Sequence, residues 1–200
     1  CAFFALTLES VPPRFGGETM RIGDVEIPGR LFLAPMAAYT SWPFRRICRR
    51  FGAALVTTEV AKAREVVRGI EMTRKLFAFK EDEHPVAGQF MAATPEEAGP
   101  AAEALCAAGL DLIDLNCGCP NRRLLSDGMG GALAESPERV ERIIAEMVRR
   151  STRPVTLKIR AGFYLGNVTC VEAARRAEGA GAAAVCLHLR FAQGAAKRPP

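Results

Sequence analysis

Six short runs of β-branched or aliphatic residues recur along the chain, and each of the first five is followed by a segment with helical spacing. The runs are LFLAPM, ALVTTE, PVAGQF, DLIDLN, PVTLKI and AAVCLHL, at residues 31–36, 54–59, 85–90, 111–116, 154–159 and 183–189. Strands that alternate with amphipathic helices form a parallel sheet with helical crossovers. Because no G-x-G-x-x-G follows the first run, the pattern favours an α/β fold of the (β/α)8 TIM-barrel type over a Rossmann sheet.

The number of these units sets an expectation about the chain's extent. A TIM barrel closes with eight strands, whereas six βα units are found here, so we expect a barrel truncated after about six units. Met20 opens a stretch typical of the start of such a barrel, whereas residues 1–19 show no clear periodicity. We therefore expect residues 1–19 to be a non-native or disordered extension, and residues 20–200 to be the N-terminal part of the barrel without strands 7 and 8.

Composition narrows the class of protein. The 200 residues are 49% hydrophobic and 24% charged, which is typical of a chain with one buried core. No run of about 18 apolar residues and no signal peptide is present, so we expect a cytoplasmic protein that does not enter a membrane.

Seven cysteines, an odd number without zinc-type spacing, predict neither a disulfide framework nor a metal site. The net charge of +5 is compatible with a nucleic-acid partner and equally with a codon bias toward arginine.

Polar side chains stand at the ends of the predicted strands. The active site of a TIM barrel lies at the C-terminal ends of its strands, so these side chains are the candidates for chemistry. Pro35, Met36 and Ala37 stand at the end of the first strand. The candidates at the later strand ends are Glu59, Gln89, Asn116, Cys119, Lys158, Arg160 and His188.

Two kinds of partner could compensate the charge of Lys158, which is predicted to point into the barrel. Side chains alternate along a strand, so Thr156, Lys158 and Arg160 share the face opposite the aliphatic residues and point into the barrel. A buried ammonium needs a compensating group. A cofactor with an electron-rich edge, such as reduced flavin, would supply it, and so would an ion pair with Asp114 or Glu59.

Cys119 lies in a G-C-P turn that two arginines follow. Gly118 lets the backbone approach a ligand closely and Pro120 fixes the turn, while Arg122 and Arg123 favour thiolate. Such a cysteine is a candidate nucleophile or proton donor. The alternative, a small buried hydrophobe, fits the other cysteines better: Cys48, Cys106, Cys170 and Cys186.

Three segments, in order, resemble motifs of the flavin-dependent tRNA-dihydrouridine synthases. APMAAYTSWPFRRICRRFGAALVTTE is similar to the family's A-P-M-A-G-x-T-D-x-P-F-R and the following G-A-x-L-x-x-T-E. DLIDLNCGCPNRRLLSDGMGGAL is similar to its N-x-G-C-P-x-x-K-V segment, and PVTLKIRAGF to its P-V-T-V-K-I-R-x-G. The resemblance extends from Met20 to about Arg190.

The resemblance implies a reaction, its cofactors and its partner. The reaction is reduction of the C5=C6 bond of a uridine in tRNA to 5,6-dihydrouridine, with FMN as cofactor and NADPH as reductant. Cys119 would be the general acid that protonates C5 while a hydride reaches C6. Pro35, Met36, Ala37, Gln89, Lys158 and His188 would bind FMN; Asn116, Arg122, Arg123 and Arg160 would bind the tRNA substrate.

The chain also departs from the family pattern. Ala38 and Ser41 stand where the family has Gly and Asp, and Leu189 and Phe191 do not match its H-G-R-T segment. The last two strands, whose loops hold the FMN phosphate in this family, and the C-terminal helical domain that grips tRNA are not in the sequence. We therefore expect this chain by itself to bind FMN weakly and to be inactive.

Two other functions remain possible from the residues alone. One is an FMN-dependent barrel oxidoreductase that acts on free pyrimidines. The other is a non-catalytic RNA-binding barrel that keeps the basic surface and has lost the flavin. Activity on free bases would identify the first, and a colourless protein that binds tRNA would identify the second.

Overall fold

The computed structural model describes residues 19–193, so the expectation for residues 1–19 falls almost entirely outside the described residues. The first elements are two short antiparallel strands, β1 (Met20–Ile22) and β2 (Val25–Ile27). Gly23 joins them with a φ of +61°, a conformation that glycine adopts without steric cost. Ile22 and Ile27 are buried in a cluster with Leu55 and Leu112, so this hairpin covers the end of the barrel at which the strands begin.

Six parallel strands of the described chain form the main sheet in sequence order. They are β3 (Phe32–Leu33), β4 (Leu55–Thr57), β6 (Val86–Met91), β7 (Leu112–Cys117), β8 (Val155–Gly162) and β9 (Ala184–Phe191), and β5 (Ala61–Lys62) pairs with the end of β6. Each strand pairs in parallel with the next. The predicted α/β architecture, six units of a TIM barrel, is confirmed.

Helices connect the strands on one face of the sheet. They are α1 (Trp42–Arg50), α2 (Ala63–Arg68), α3 (Glu71–Phe77), α4 (Pro95–Ala107), α5 (Arg122–Ser126), α6 (Pro137–Arg150) and α7 (Cys170–Gly179), with 3-10 turns at Glu81–Glu83 and Gly130–Glu135. The helical spacing over residues 61–77 resolves into two helices rather than one. Gly69, with a φ of +59°, ends α2 in the left-handed conformation that commonly closes a helix.

The core lies between the sheet and its helices. Val155, Leu157 and Ile159 are buried there, against helix residues such as Leu105 of α4 and Ile144 of α6. The other face of β8 therefore points into the barrel, as the alternation predicted. None of the described helices combines the length and apolar character that crossing a bilayer requires.

The outer strands of the described sheet are β3 and β9. Apolar side chains on both are exposed: Phe32 on β3 is 43% exposed, and Leu189 on β9 is 77% exposed. Within residues 19–193, no strand pairs with the free edges of β3 and β9.

Candidate active site

The C-terminal halves of neighbouring strands bring polar side chains to one mouth of the barrel. In the β6–β7–β8–β9 ladder, Gln89 is paired with Asp114, Asn116 with Lys158, and Arg160 with His188. Paired residues of parallel strands project to the same side of a sheet. Five of the strand-end residues predicted from the sequence thus face the barrel interior: Gln89, Asn116, Lys158, Arg160 and His188.

A chain of hydrogen bonds, which we call the amide relay, links Asp114 to the loop after β7. Gln89 Nε2 donates to Asp114 Oδ2 at 2.7 Å, and Asn116 Nδ2 donates to Gln89 Oε1 at 2.8 Å. Asn116 Oδ1 then accepts from the backbone N–H groups of Gly118, at 3.0 Å, and Cys119, at 2.9 Å. Gln89 is fully buried and Asp114 nearly so, so both ends of the Gln89 amide are held by protein groups.

Asp114 is a buried carboxylate on the inner face of β7. Besides Gln89, Thr156 Oγ1 donates to its Oδ1 at 2.5 Å. Burial raises the pKa of Asp114, and the bonds from Gln89 and Thr156 and the positive charge of Lys158 oppose that rise. Sequence reasoning treated Asp114 only as a potential ion-pair partner of Lys158, because the alternation that turned it inward did not show which amide would lie beside it.

Lys158 is half-buried, and no ion pair or hydrogen bond joins it to another residue within 19–193. The two carboxylates that were considered as partners are bonded elsewhere: Asp114 to Gln89 and Thr156, and Glu59 Oε2 to the backbone N–H of Ala38 at 2.5 Å. The ammonium influences Asp114 through space and remains available to a ligand.

A cavity of about 270 Å³ opens beside Lys158, inside the barrel between β3 and β9. Its walls include Pro35 from the end of the first strand, Asp114, Thr156 and Cys186. Of the other residues predicted to line a flavin from the first strand's end, Met36 and Ala37 are exposed on the loop that follows Pro35. The cavity is therefore lined mainly by apolar side chains, together with the Lys158 ammonium and the Asp114 carboxyl group.

The loop that carries Cys119 is held from two sides. Cys119 accepts a hydrogen bond at its carbonyl from Gly131 N at 2.9 Å, while its own N–H is held by Asn116. A Cβ at Gly130, where φ is +58°, would lie 3.1 Å from the Cys119 Cβ. The trailing glycines thus let the chain pack directly against Cys119, which stays half-buried at the barrel mouth.

Arg160 bridges this loop to β9. Its Nε donates to Gly118 O, and its Nη1 donates to Phe191 O at 3.1 Å. Burial lowers the pKa of Arg160, with Cys119 acting against that shift and Arg190 adding to it. The structure therefore gives Arg160 a part in holding the loop, and its contact with substrate stays a prediction.

His188 lies among cations at the end of β9. Burial lowers its pKa below the usual value, and the charges of Lys158, Arg160 and Arg190 lower it further. Both effects favour the neutral imidazole. The Nε of Arg190 is buried without a hydrogen-bond partner in the described part of the chain.

The rim beside Cys119 is basic. Arg122 and Arg123 are exposed at the start of α5. Lys62 Nζ lies 2.9 Å from Asp127 Oδ2, and the charges of Arg123 and Arg64, after that of Lys62, lower the pKa of Asp127. This rim presents Arg122 and Arg123 to solvent, with the Lys62–Asp127 ion pair beside them.

Comparison with known proteins identifies the family of this chain. The family model described as dihydrouridine synthase (Dus) matches residues 32–199. The chain belongs to the dihydrouridine synthase family. Two curated members, each named tRNA-dihydrouridine synthase B, come from Pasteurella multocida and Pseudomonas aeruginosa; they are 37% and 35% identical over 171 residues, which are 86% of this chain and 52% of each relative. The chain thus spans about half the length of these curated relatives.

Solved structures agree on the fold of this dihydrouridine synthase chain. A 6-hydroxypseudooxynicotine amine oxidase from Pseudomonas geniculata N1 matches with a TM-score of 0.65, over 88% of this chain and 38% of that one. Morphinone reductase in complex with tetrahydroNAD matches with a TM-score of 0.59, over 85% of this chain and 72% of that one. Both are 12% identical in sequence, so these likenesses concern the fold alone.

Proposed function

We propose that the protein containing this chain reduces the C5=C6 bond of a uridine in tRNA to 5,6-dihydrouridine, with FMN as cofactor and NADPH as reductant. Family membership and the names of the relatives support the reaction class. The observation that carries the proposal is that Asn116 is paired with Lys158 on neighbouring strands, that Asn116 holds the backbone N–H of Cys119, and that Lys158 lines a cavity inside the barrel.

The cavity fits a flavin by its chemistry. Pro35 forms part of an apolar wall, and the Lys158 ammonium, which no described carboxylate neutralises at contact distance, suits the electron-rich edge of the ring. Gln89 keeps one Nε2 hydrogen after its bond to Asp114, and we predict that this hydrogen meets the isoalloxazine edge when the ring is bound. Met36, Ala37 and His188 complete the set that would hold the ring. When bound and reduced, FMN supplies the hydride that adds to C6.

Cys119 would deliver the proton. Addition of hydride at C6 leaves enolate character that extends to C5, so a proton donor is needed on the face of the base away from the hydride donor. The Cys119 backbone is held by Asn116 on one side and Gly131 on the other, which fixes the direction of its Cα–Cβ bond. Such positioning of a general acid is what proton transfer in the transition state requires.

The substrate would enter across the basic rim. A uridine has to leave the folded tRNA to reach a buried site, as in other enzymes that act on extruded bases. Asn116 would position the uracil ring, while the exposed Arg122 and Arg123 would contact nearby phosphates. Arg160 would act beside the base, where it already holds Gly118.

Cys119→Ala tests the proton-donor role. We expect dihydrouridine formation on unmodified tRNA to fall by at least about 10²-fold, the contribution typical of a general acid, while the visible spectrum of bound FMN is unchanged. Cys117→Ala is the matched control, because Cys117 is buried and both burial and the nearby Asp114 charge raise its pKa. It should retain activity.

Two outcomes would contradict the proposal. Full activity of Cys119→Ala would remove the proton-donor role. A yellow wild-type protein that reduces free pyrimidines but leaves tRNA unchanged would move the function to the small-molecule class.

A further inference from the structure

We propose that Asp114 is a positioning residue whose carboxylate fixes the amide orientations of Gln89 and Asn116 and thereby holds the loop that carries Cys119. The inference deepens the proposed function, and it rests on that function only for the role of Cys119. Asp114 touches neither the predicted proton donor nor the exposed rim, so it would act through the amide relay.

The Cys119 end of the relay determines which group donates and which accepts in each hydrogen bond. The backbone N–H groups of Gly118 and Cys119 can only donate. Asn116 must therefore present its oxygen to them, which leaves its Nδ2 for Gln89. Gln89 must in turn accept with its oxygen, which leaves its Nε2 at the far end. The last member of the relay therefore has to be an acceptor.

The Asp114 end gives the same direction independently. A carboxylate oxygen accepts hydrogen bonds, and Asp114 accepts one from Gln89 Nε2 on Oδ2 and one from Thr156 Oγ1 on Oδ1. Every donor in the relay thus meets an acceptor. A side chain at position 114 that donated to Gln89 would force one link of the relay to place two donors or two acceptors together.

The burial of Gln89 leaves water little access to the middle of the relay, although Asp114 itself lines the cavity. Gln89 is 0% exposed and Asp114 is 7% exposed. A buried amide that loses its partner costs more than the hydrogen bond itself contributed. The orientation of Asn116, and with it the tether on the Cys119 N–H, therefore depends on the acceptor at position 114.

The first experiment compares Asp114→Leu with Asp114→Asn by amide hydrogen exchange, measured by NMR on the purified protein without FMN or tRNA. Leucine removes the acceptor, whereas asparagine can still offer its oxygen to Gln89. We expect exchange at Gly118 and Cys119 to become about tenfold faster in Asp114→Leu, the factor that one lost hydrogen bond typically gives. It should stay near the wild-type rate in Asp114→Asn, with the Ile113 amide on the same strand as the internal reference. Unchanged exchange in Asp114→Leu would overturn the proposal.

A second experiment reverses the relay, and it remains decisive where Asp114→Leu does not fold. Asn116→Asp alone places Gln89 between two acceptors, and we expect the folding equilibrium constant to fall by about tenfold or more. Adding Asp114→Asn lets Gln89 turn over, so that the new amide at 114 donates to Gln89 and Gln89 donates to the new carboxylate at 116. The double variant has the wild-type charge and should recover most of the loss in urea unfolding. Additive effects, or a double variant no more stable than Asn116→Asp, would refute the relay.

These measurements separate the two proposals. A wild-type protein that forms no dihydrouridine would remove the proposed function and leave the exchange and unfolding results intact. In an active protein, Asp114→Leu should lower kcat per bound FMN, because it misplaces the proton donor; the FMN content is measured alongside, since Asp114 lines the cavity and orients Gln89, a predicted flavin contact.

Discussion

At the scale of single residues, the least usual backbone belongs to Ala38. Its φ is +64°, in the left-handed region where a Cβ costs about 1–2 kcal/mol. Its N–H is held by Glu59 Oε2 at 2.5 Å, which keeps the loop after β3 in this conformation. The family motif has glycine here, and the structure supplies the reason: glycine adopts this φ without the steric cost.

Ala38→Gly should raise the free energy of unfolding by about 0.5–1 kcal/mol, because relief of the Cβ strain exceeds the added entropy of the unfolded chain. Urea denaturation would measure it. Ala108→Gly is the matched control, since Ala108 is exposed with a φ of −74°, and it should lower stability by about 0.5–1 kcal/mol. A loss of stability in Ala38→Gly would mean that alanine is not strained at this position.

The sequence predicted the residues of the candidate site but not their hydrogen-bond partners. The alternation along β8 correctly turned Lys158 inward, because the period of a strand is two. It did not reveal that Gln89 lies between Asp114 and Asn116, since those contacts join residues 25 and 27 positions apart in the chain. Register between strands, which a single sequence does not display, decides such pairs.

At the scale of elements, α1 is anchored by a buried ion pair. Arg45 is 0% exposed and donates through Nε to Glu83 Oε2 at 2.7 Å, through Nη1 to Thr40 O at 2.7 Å, and through Nη2 to Ala78 O at 2.6 Å. These bonds join α1 to the loop after β3 and to the segment before β6. In the sequence, Arg45 was only the last residue of a motif; its position explains why that motif ends in arginine.

Arg45→Met should destabilise the protein by about 3–5 kcal/mol, because it leaves the Glu83 carboxylate buried without its partner. Combining it with Glu83→Leu should recover part of that loss in urea unfolding. Arg46→Met is the control: Arg46 makes an exposed ion pair with Asp82 at 2.7 Å, and its loss should cost less than about 1 kcal/mol. Equal costs at positions 45 and 46 would show that burial does not set the strength of the Arg45 pair.

The elements found from sequence are those with a sustained period. Helices α1, α4, α6 and α7 carry amphipathic patterns over nine or more residues, and the structure confirms them. The hairpin of β1 and β2 was missed, because three-residue strands show too little alternation. Helix α5 was missed since it lies in a glycine-rich segment with no helical period.

At the scale of the whole molecule, β3 and β9 are the two outer strands of the described sheet. The cavity that would take the flavin ring is bounded by these two outer strands. We predict that the 200-residue chain, expressed by itself, retains much less than one FMN per chain, as its visible absorbance after gel filtration would show. A chain that purifies yellow with one FMN each would contradict this prediction.

The amide relay has a consequence for how the sheet assembles. It joins β6, β7 and β8 through the pairs Gln89–Asp114 and Asp114–Thr156. If β7 slipped by one residue against its neighbours, every side chain would change face, and the Asp114 carboxylate would turn into the apolar layer under the helices. A buried charge without partners is strongly unfavourable. A sheet in which β7 is shifted by one residue is therefore less stable than the sheet with the observed register. The residues that organise the candidate site therefore also favour the correct register of the strands.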